Sequence, residues 1–359
     1  MRLIKQSFEI WEQEPGIIGV FKQIERAARL SYKSEDNITD DSATEFVSRM
    51  VNMGHWATLE HGTVYLVVPQ DNPNYHHLLS KYKSNPYSVC NYSIAFNGAP
   101  IGILHITTNY RVLLENKWLE DLKYICGPLD MHSRRVTVHL ICDRGVSHEA
   151  VRHRAFSFMQ ESSRWCNYSS KRFNNEITYI IPSWLSIPEG EYEWEDANPL
   201  ITAGMSIEEA GYDDSANIWI KDESDGHFNE FKRHYDDWQN VEDFMESLQK
   251  SEEIYFNLLA RSWKPQQARN VLPNALKTEL AITGFAKDYW GEYWLINKNT
   301  NKVDKVIPGR SWKDVDLVPR DMYNVVEKGF FPLRCSKSAH PQMQELVIPL
   351  RDKFYELGL

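Results

Sequence analysis

Apolar residues recur at helical spacing from Gly16 to Tyr32, where Ile17, Val20, Phe21, Ile24, Ala27, Ala28 and Leu30 follow Pro15, and this predicts an amphipathic helix. A second helix is expected from Asp40 or Asp41 through Phe46, Val47 and Met50 to Met53, with Asp41 or Ser42 as cap and Gly54 as terminator. Thr63 to Val68, Cys90 to Phe96, Ile101 to Thr107, Val136 to Cys142 and Leu280 to Phe285 have the short apolar pattern of strands. One helix is predicted with Val112, Leu113, Trp118, Leu119, Leu122 and Ile125 on its apolar face. A long helix is predicted from Val241 to Ser262, a short one between Pro265 and Pro273, and a closing one from Met343 to Leu357 with Pro349 as a kink. The acidic stretch from Ile187 to about Asp243, with turn signals at Pro188-Glu189-Gly190 and Asp225-Gly226, is expected to be a surface excursion. Asn297 to Asp316 is polar and turn-rich. Helices and strands mix without regular alternation, so the expected fold class is α+β, with helices around a central, mainly antiparallel sheet.

At 359 residues and 42% hydrophobic, the chain is long enough for a sizeable core, which excludes disorder. Its 12 Trp and 18 Tyr can stack flat ligands. A net charge of -10 argues against coating nucleic acid or an anionic membrane, so an anionic ligand has to be met by a local cationic site. The polar N-terminal segment and the lack of a long apolar run predict a cytoplasmic protein without export signal or membrane span. Five scattered cysteines, Cys90, Cys126, Cys142, Cys166 and Cys335, are expected to be free thiols; Cys166 is more readily a buried thiol than a nucleophile. There is no GxGxxG after a strand and no GxxxxGK[ST]. His148 and His153 stand five residues apart, about 140° around a helix, which does not suit a zinc pair.

Cations concentrate in DRGVSHEAVRHRAFSFMQESSRWCNYSS, residues 143 to 170. Arg144, His148, Arg152, His153, Arg154 and Arg164 are interleaved there with Ser157, Gln160, Glu161, Ser162 and Ser163. Arginine and hydroxyl groups suit phosphate oxygens. An isolated basic triplet is usually a solvated face, but this one lies between an apolar strand and Phe156, Phe158, Met159 and Trp165. Arg152 and Arg154 flank a histidine and can face separate ligands, while Ser162-Ser163-Arg164 offers a second phosphate cradle.

Arg152-His153-Arg154, seven residues and then Ser162 reproduce the RHR-x7-S signature of the flavin-dependent thymidylate synthases, which this chain resembles. GHWATLEHGTVYL (54 to 66), ERAARLSY (25 to 32), QARNVLPNALKTEL (267 to 280) and LRCSKSAHPQMQEL (333 to 346) resemble further segments of that family. The resemblance implies a single domain over 1-359, interrupted by insertions near 69-133, 186-240 and 295-330, and a homotetramer. It implies synthesis of dTMP from dUMP, with methylenetetrahydrofolate giving the carbon and NADPH giving reducing equivalents through FAD. By position, Arg152, His153 and Arg154 would bind FAD, with Ser31, His61, Thr63, Ser157 and His340 as further flavin contacts. Glu149, Arg152, Gln160, Glu161, Ser162, Ser163, Arg164 and Arg269 would hold dUMP, Arg164 and Arg269 at its phosphate. Arg334 matches the catalytic arginine near the uracil, where a fixed charge can stabilise negative charge developing on the ring. No metal, nucleic acid or membrane is implied. The chain departs from the family at Phe285 and Lys287, where Asn and Arg are usual in a flavin-contacting segment. Two alternatives stay open: a non-catalytic nucleotide-binding relative that has lost flavin chemistry, and an RNA- or DNA-binding module using the RHR cluster, which the acidic balance disfavours.

Overall fold

The computed structural model describes residues 1–94, 100–195, 217–221, 224, 228–230 and 238–359. Its chain divides into two compact units: Met1–Ser7, Ile141–His148 and Ser162–Thr278 form the first, and Phe8–Leu140, Glu149–Glu161 and Glu279–Leu359 the second.

In the first unit a five-stranded sheet runs in the order Phe228–Glu230, Asn217–Lys221, Gly190–Glu195, Arg2–Ile4, Thr178–Ile180. Arg2–Ile4 pairs antiparallel with Gly190–Glu195 and parallel with Thr178–Ile180. The acidic stretch is therefore not a mere surface excursion where it is described. Acidic residues alternate with aromatic ones in Glu191-Tyr192-Glu193-Trp194-Glu195, and this strand period buries Tyr192 in the core beside Leu3, Tyr179 and Ile187. The Asp225-Gly226 turn lies outside the described residues. The long helix forms as expected, over Trp238–Ala260, and delivers Val241, Met245, Leu248 and Tyr255 to the same core.

The second unit begins with the two expected N-terminal helices, Gly16–Leu30 and Ser42–Asn52, the latter followed by Gly54 in the left-handed region at φ 74°. They pack with Tyr75–Lys83 on an antiparallel sheet ordered Val89–Ile94, Pro100–Asn109, Thr63–Val68, Ile125–Cys126. Phe96, expected in a strand, lies outside the described residues. The single helix expected across 112 to 125 is broken: an α-helix covers Tyr110–Glu115 and a 3₁₀ helix Leu119–Tyr124. The cause is local, because Lys117 takes φ 61° and ends the first piece, an orientation that apolar periodicity alone does not register.

A further four-stranded sheet has the order Ser7–Trp11, Arg135–Asp143, Lys277–Phe285, Ser157–Gln160, the last two antiparallel with Gln160 opposite Leu280. The stretch expected to be turns also holds regular structure. Val303–Pro308, Glu292–Asn297 and Tyr323–Lys328 make an antiparallel sheet with its own small core of Tyr293, Leu295, Ile307, Val315 and Val318. Alternate residues of a strand need only one apolar face, so lysines and aspartates between them masked the signal. The closing helix, Pro341–Glu356, contains Pro349 and buries Leu346, Val347, Leu350 and Phe354. The α+β expectation thus holds in its coarse form, with helices and mainly antiparallel strands distributed over several sheets rather than one.

Candidate functional site

Strand Arg135–Asp143 and helix Arg144–Ala150 lead the chain into the RHR triplet, which lies in the second unit. Arg152 and Arg154 are exposed, and His153 between them is half-buried. The His153 ring meets Phe330 edge-on at 5.0 Å between centroids. Phe330 opens the short helix Phe330–Arg334, which therefore brings Arg334 against the triplet.

Arg334 is held at three points: Nε donates to His153 Nε2 at 2.9 Å, Nη1 to Glu149 Oε2 at 2.6 Å, and Nη2 to the Glu149 carbonyl at 2.8 Å. Among the described residues, three of its five N–H donors are engaged and two have no acceptor. Because His153 Nε2 accepts, its ring carries the proton on Nδ1. Burial first, then the charges of Arg334 and Arg152, push His153 down to about 4, so it is neutral near pH 7. Burial lowers Arg334 from its usual value while the Glu149 carboxylate opposes that shift.

The start of this helix depends on two glycines. Gly329 has φ 102° and Gly291 φ 59°, and they are packed so closely that a Cβ on Gly291 would lie 2.1 Å from the Lys328 carbonyl oxygen. Only bare backbone fits there, and the path into Phe330 and Arg334 follows from it.

Beside this cluster lies a cavity of about 550 Å³, walled in part by Glu60, Arg111, Arg135, Arg154, Ser157 and Phe285. The Ser157 hydroxyl donates to Glu60 Oε2 at 2.6 Å, and Arg111 bridges Glu60 at 2.5 Å and Glu115 at 2.8 Å. Phe285 and Lys287, the two departures from the family pattern, both line it. The donors and the size suit a large anionic ligand with a flat ring, so the residues present fit FAD. Of the expected flavin contacts, Arg154 and Ser157 line this cavity.

The others sit elsewhere in the unit. His61 is fully buried, with Nδ1 2.7 Å from Thr283 Oγ1, and burial followed by the Arg135 charge pushes it down to about 3. Thr63 is buried and exchanges backbone hydrogen bonds with the Gln13 side chain. Ser31 caps the first long helix, and His340 is exposed at the start of the last one. Gln160 lies in its strand, and Glu161 is buried with its amide on the Glu279 carbonyl. Glu149 is engaged by Arg334 rather than standing open.

The first unit carries the remaining phosphate candidates. Ser162 starts a turn in which the amides of Trp165 and Cys166 both reach its carbonyl, and buried Cys166 anchors that turn in the core. Arg269 Nη1 donates to Ser163 Oγ at 3.0 Å, and Arg164 is exposed in the same turn. A guanidinium, a hydroxyl and a second arginine thus gather within this unit. None of the five cysteines forms a disulfide within the described residues, and Cys142 and Cys166 are buried.

Sequence reasoning missed Glu60, Arg111 and Arg135. Glu60 stood inside the quoted GHWATLEHGTVYL segment, next to His61, and its place in the motif could have flagged it. Arg111 and Arg135 carry no sequence signal, since only strand pairing and helix packing aim them at one cavity.

Residues 128–291 match the family described as Thy1, thymidylate synthase complementing protein, so the resemblance to the flavin-dependent thymidylate synthases is shown for that segment. It includes the RHR triplet, Ser162 and Arg269, and supports nucleotide methylation as the class of chemistry. Arg334 and His340 lie outside it. No curated protein matches the chain. Among solved structures, the UMP/dUMP methylase PolB from Streptomyces cacaoi bound with 5-Br UMP is 13% identical, over 80% of this chain and 75% of that one, at a TM-score of 0.29. The same protein bound with 5-Br dUMP is 15% identical, over 80% and 76%, at 0.28. Likeness at that level carries no argument about this chain.

Proposed function

From the Thy1 likeness of residues 128–291 as premise, we propose that this protein is a flavin-dependent thymidylate synthase that converts dUMP to dTMP. The carbon comes from methylenetetrahydrofolate and the reducing equivalents from NADPH. The observation that carries the reading is the triple anchoring of Arg334 by His153 and Glu149, which joins two motif segments 181 and 185 residues apart in the chain. FAD, when bound, supplies the hydride that completes the methyl group.

The protein's own residues have distinct tasks in this proposal. Neutral His153 accepts from Arg334 and cannot repel it, so the guanidinium keeps its charge and a fixed orientation. Its two remaining N–H groups are positioned to stabilise negative charge on a uracil ring, without reorganisation when the charge appears. Glu149 acts on the substrate through Arg334, as a positioning residue. Arg269, Ser163 and Arg164 take the dUMP phosphate, and Arg154 with Ser157 contacts the flavin. Assembly as a homotetramer belongs to the same proposal, and light scattering should then give about four times 42.0 kDa.

The test is the visible absorbance spectrum of protein incubated with FAD and desalted, before and after addition of dUMP. Retained flavin whose band shifts with dUMP is expected. A folded protein that binds dUMP and retains no flavin would overturn flavin dependence and leave a nucleotide-binding relative.

A further inference from the structure

The small core of the sheet between residues 292 and 328 has an open side. Of its buried residues Tyr293, Leu295, Ile307, Val315 and Val318, three also line a surface groove of about 430 Å³: Leu295, Ile307 and Val318. Lys305, Val306, Asp314 and Leu317 line the same groove. The short helix Trp312–Val315 is fixed from behind, because Val315 enters the core and the Arg351 Cζ lies 3.7 Å from the Trp312 ring centroid. In the turn that follows, the amides of Leu317 and Val318 donate to the carbonyls of Asp314 and Val315. This turn leaves Leu317 82% exposed, and Val306 beside the groove is 43% exposed. Apolar side chains gathered at the mouth of an apolar-floored groove mark a contact surface, where a single exposed leucine would not.

The polar groups at the groove are equally unsatisfied. Among the described residues the Lys305 and Asp314 side chains have no hydrogen bond or ion pair, not even with each other. Uncommitted charges of opposite sign on one patch are self-complementary, because a two-fold axis sets each against its opposite in the other copy and does so twice. Between residues 292 and 328 there are seven Lys and Arg against six Asp and Glu, while the whole chain stands at -10. Two copies can therefore approach here with little of the repulsion that the rest of an acidic surface imposes. Strand addition is not the route. Val303–Pro308 is the outer strand of its sheet, but the register shift at Leu295/Ile296, together with Lys305 and Pro308, blunts that edge, which leaves the contact to side chains.

We infer that this groove is an interface with a second copy of the chain, in which Leu317 of each copy enters the other's groove and Lys305 pairs with the partner's Asp314. The apolar contact closes the open side of the small core, and the two exchanged ion pairs set its orientation. The interface rests on no part of the flavin reading, and it assigns self-association to a stretch that the family resemblance treats as an insertion.

The experiment is sedimentation velocity over a dilution series, comparing wild type with Leu317→Asp, Lys305→Asp and Asp314→Lys, each checked for fold by circular dichroism. Wild type should assemble reversibly, and Leu317→Asp should weaken that assembly about tenfold or more through loss of the buried leucine. Each charge reversal sets like charges against each other at both contacts and should weaken it by a similar factor. An equimolar mixture of Lys305→Asp and Asp314→Lys should restore assembly, because one chain then carries two acids at these positions and the other two lysines. A defect of folding in either single variant would not be rescued by mixing, so rescue supports the exchange directly. A wild type that stays monomeric overturns the interface. So does an assembly that none of the three variants weakens, which would lie on another face. Single reversals that weaken assembly without rescue in the mixture overturn the pairing of Lys305 with the partner's Asp314. Flavin retention, measured on the same samples, should be alike in all of them and bears on the flavin reading alone.

Discussion

Replacing Arg334 with methionine removes the cation and keeps much of the side-chain bulk, so its consequences separate charge from packing. Three hydrogen bonds disappear, at 2.9, 2.6 and 2.8 Å, two of them to Glu149. The Arg334 side chain is 16% exposed and that of Glu149 35%, so water recovers part of what the carboxylate loses. The net cost to stability should be about 1–2 kcal/mol, a fall of a few degrees in melting temperature for a chain of this size. His153 responds in the opposite sense. Its depression to about 4 comes first from burial and second from Arg334, so removing the charge raises it without restoring the value of a free histidine. An NMR pH titration, with the resonance assigned by His153→Gln, reads this directly. Methyl transfer should fall by about a hundredfold or more if the guanidinium stabilises ring charge, while bound flavin is retained. A His153 that still titrates near 4 in Arg334→Met would refute the electrostatic coupling, and turnover close to wild type would remove Arg334 from the chemistry.

Other consequences are as direct. Arg269→Ala should weaken dUMP binding by about ten- to a hundredfold through the lost charged donor and leave FAD retention alone, and an unaltered dUMP dissociation constant would sink its phosphate role. Gly291→Ala forces a Cβ to 2.1 Å from the Lys328 carbonyl oxygen at φ 59°, so it should lower stability by about 2 kcal/mol or more and reduce turnover by displacing Arg334; a wild-type melting curve would contradict the packing argument. Acidification tests the two neutral histidines. Unfolded chains take up these protons near the ordinary value of 6.5, whereas folded His153 and His61 resist until about 4 and 3, so stability is full above about pH 6.5 and declines as pH falls toward 4. The slope should be on the order of 1 kcal/mol per pH unit for fully buried His61 and less for half-buried His153, and urea midpoints that do not move between pH 7 and 5 would show that neither is buried neutral.

Much of this was legible in the sequence wherever a pattern is local. Helical spacing located Gly16–Leu30, Trp238–Ala260 and Pro341–Glu356, because an amphipathic stripe is written in consecutive residues. The RHR-x7-S spacing likewise pointed to the family whose model matches residues 128–291, because that pattern too is written in nearly consecutive residues. Helix 112 to 125 failed at Lys117, where a positive φ is a backbone choice that hydropathy does not encode. The sheet of Glu292–Asn297, Val303–Pro308 and Tyr323–Lys328 was missed because one-sided burial leaves every second residue polar.

The site divides along the same line. Residue types and their spacing determined that this acidic chain keeps a cationic, hydroxyl-bearing segment suited to phosphate, and the family resemblance gave Arg334 its expected catalytic role. Only tertiary structure decided that Arg334 grips His153 and Glu149, that Glu60 is tied to Ser157 and Arg111, and that the Arg135 guanidinium lies against the Phe285 ring. The physical reason is range. Periodicity and capping act over a few residues, whereas a hydrogen bond or a desolvated charge depends on which distant strand or helix arrives beside it.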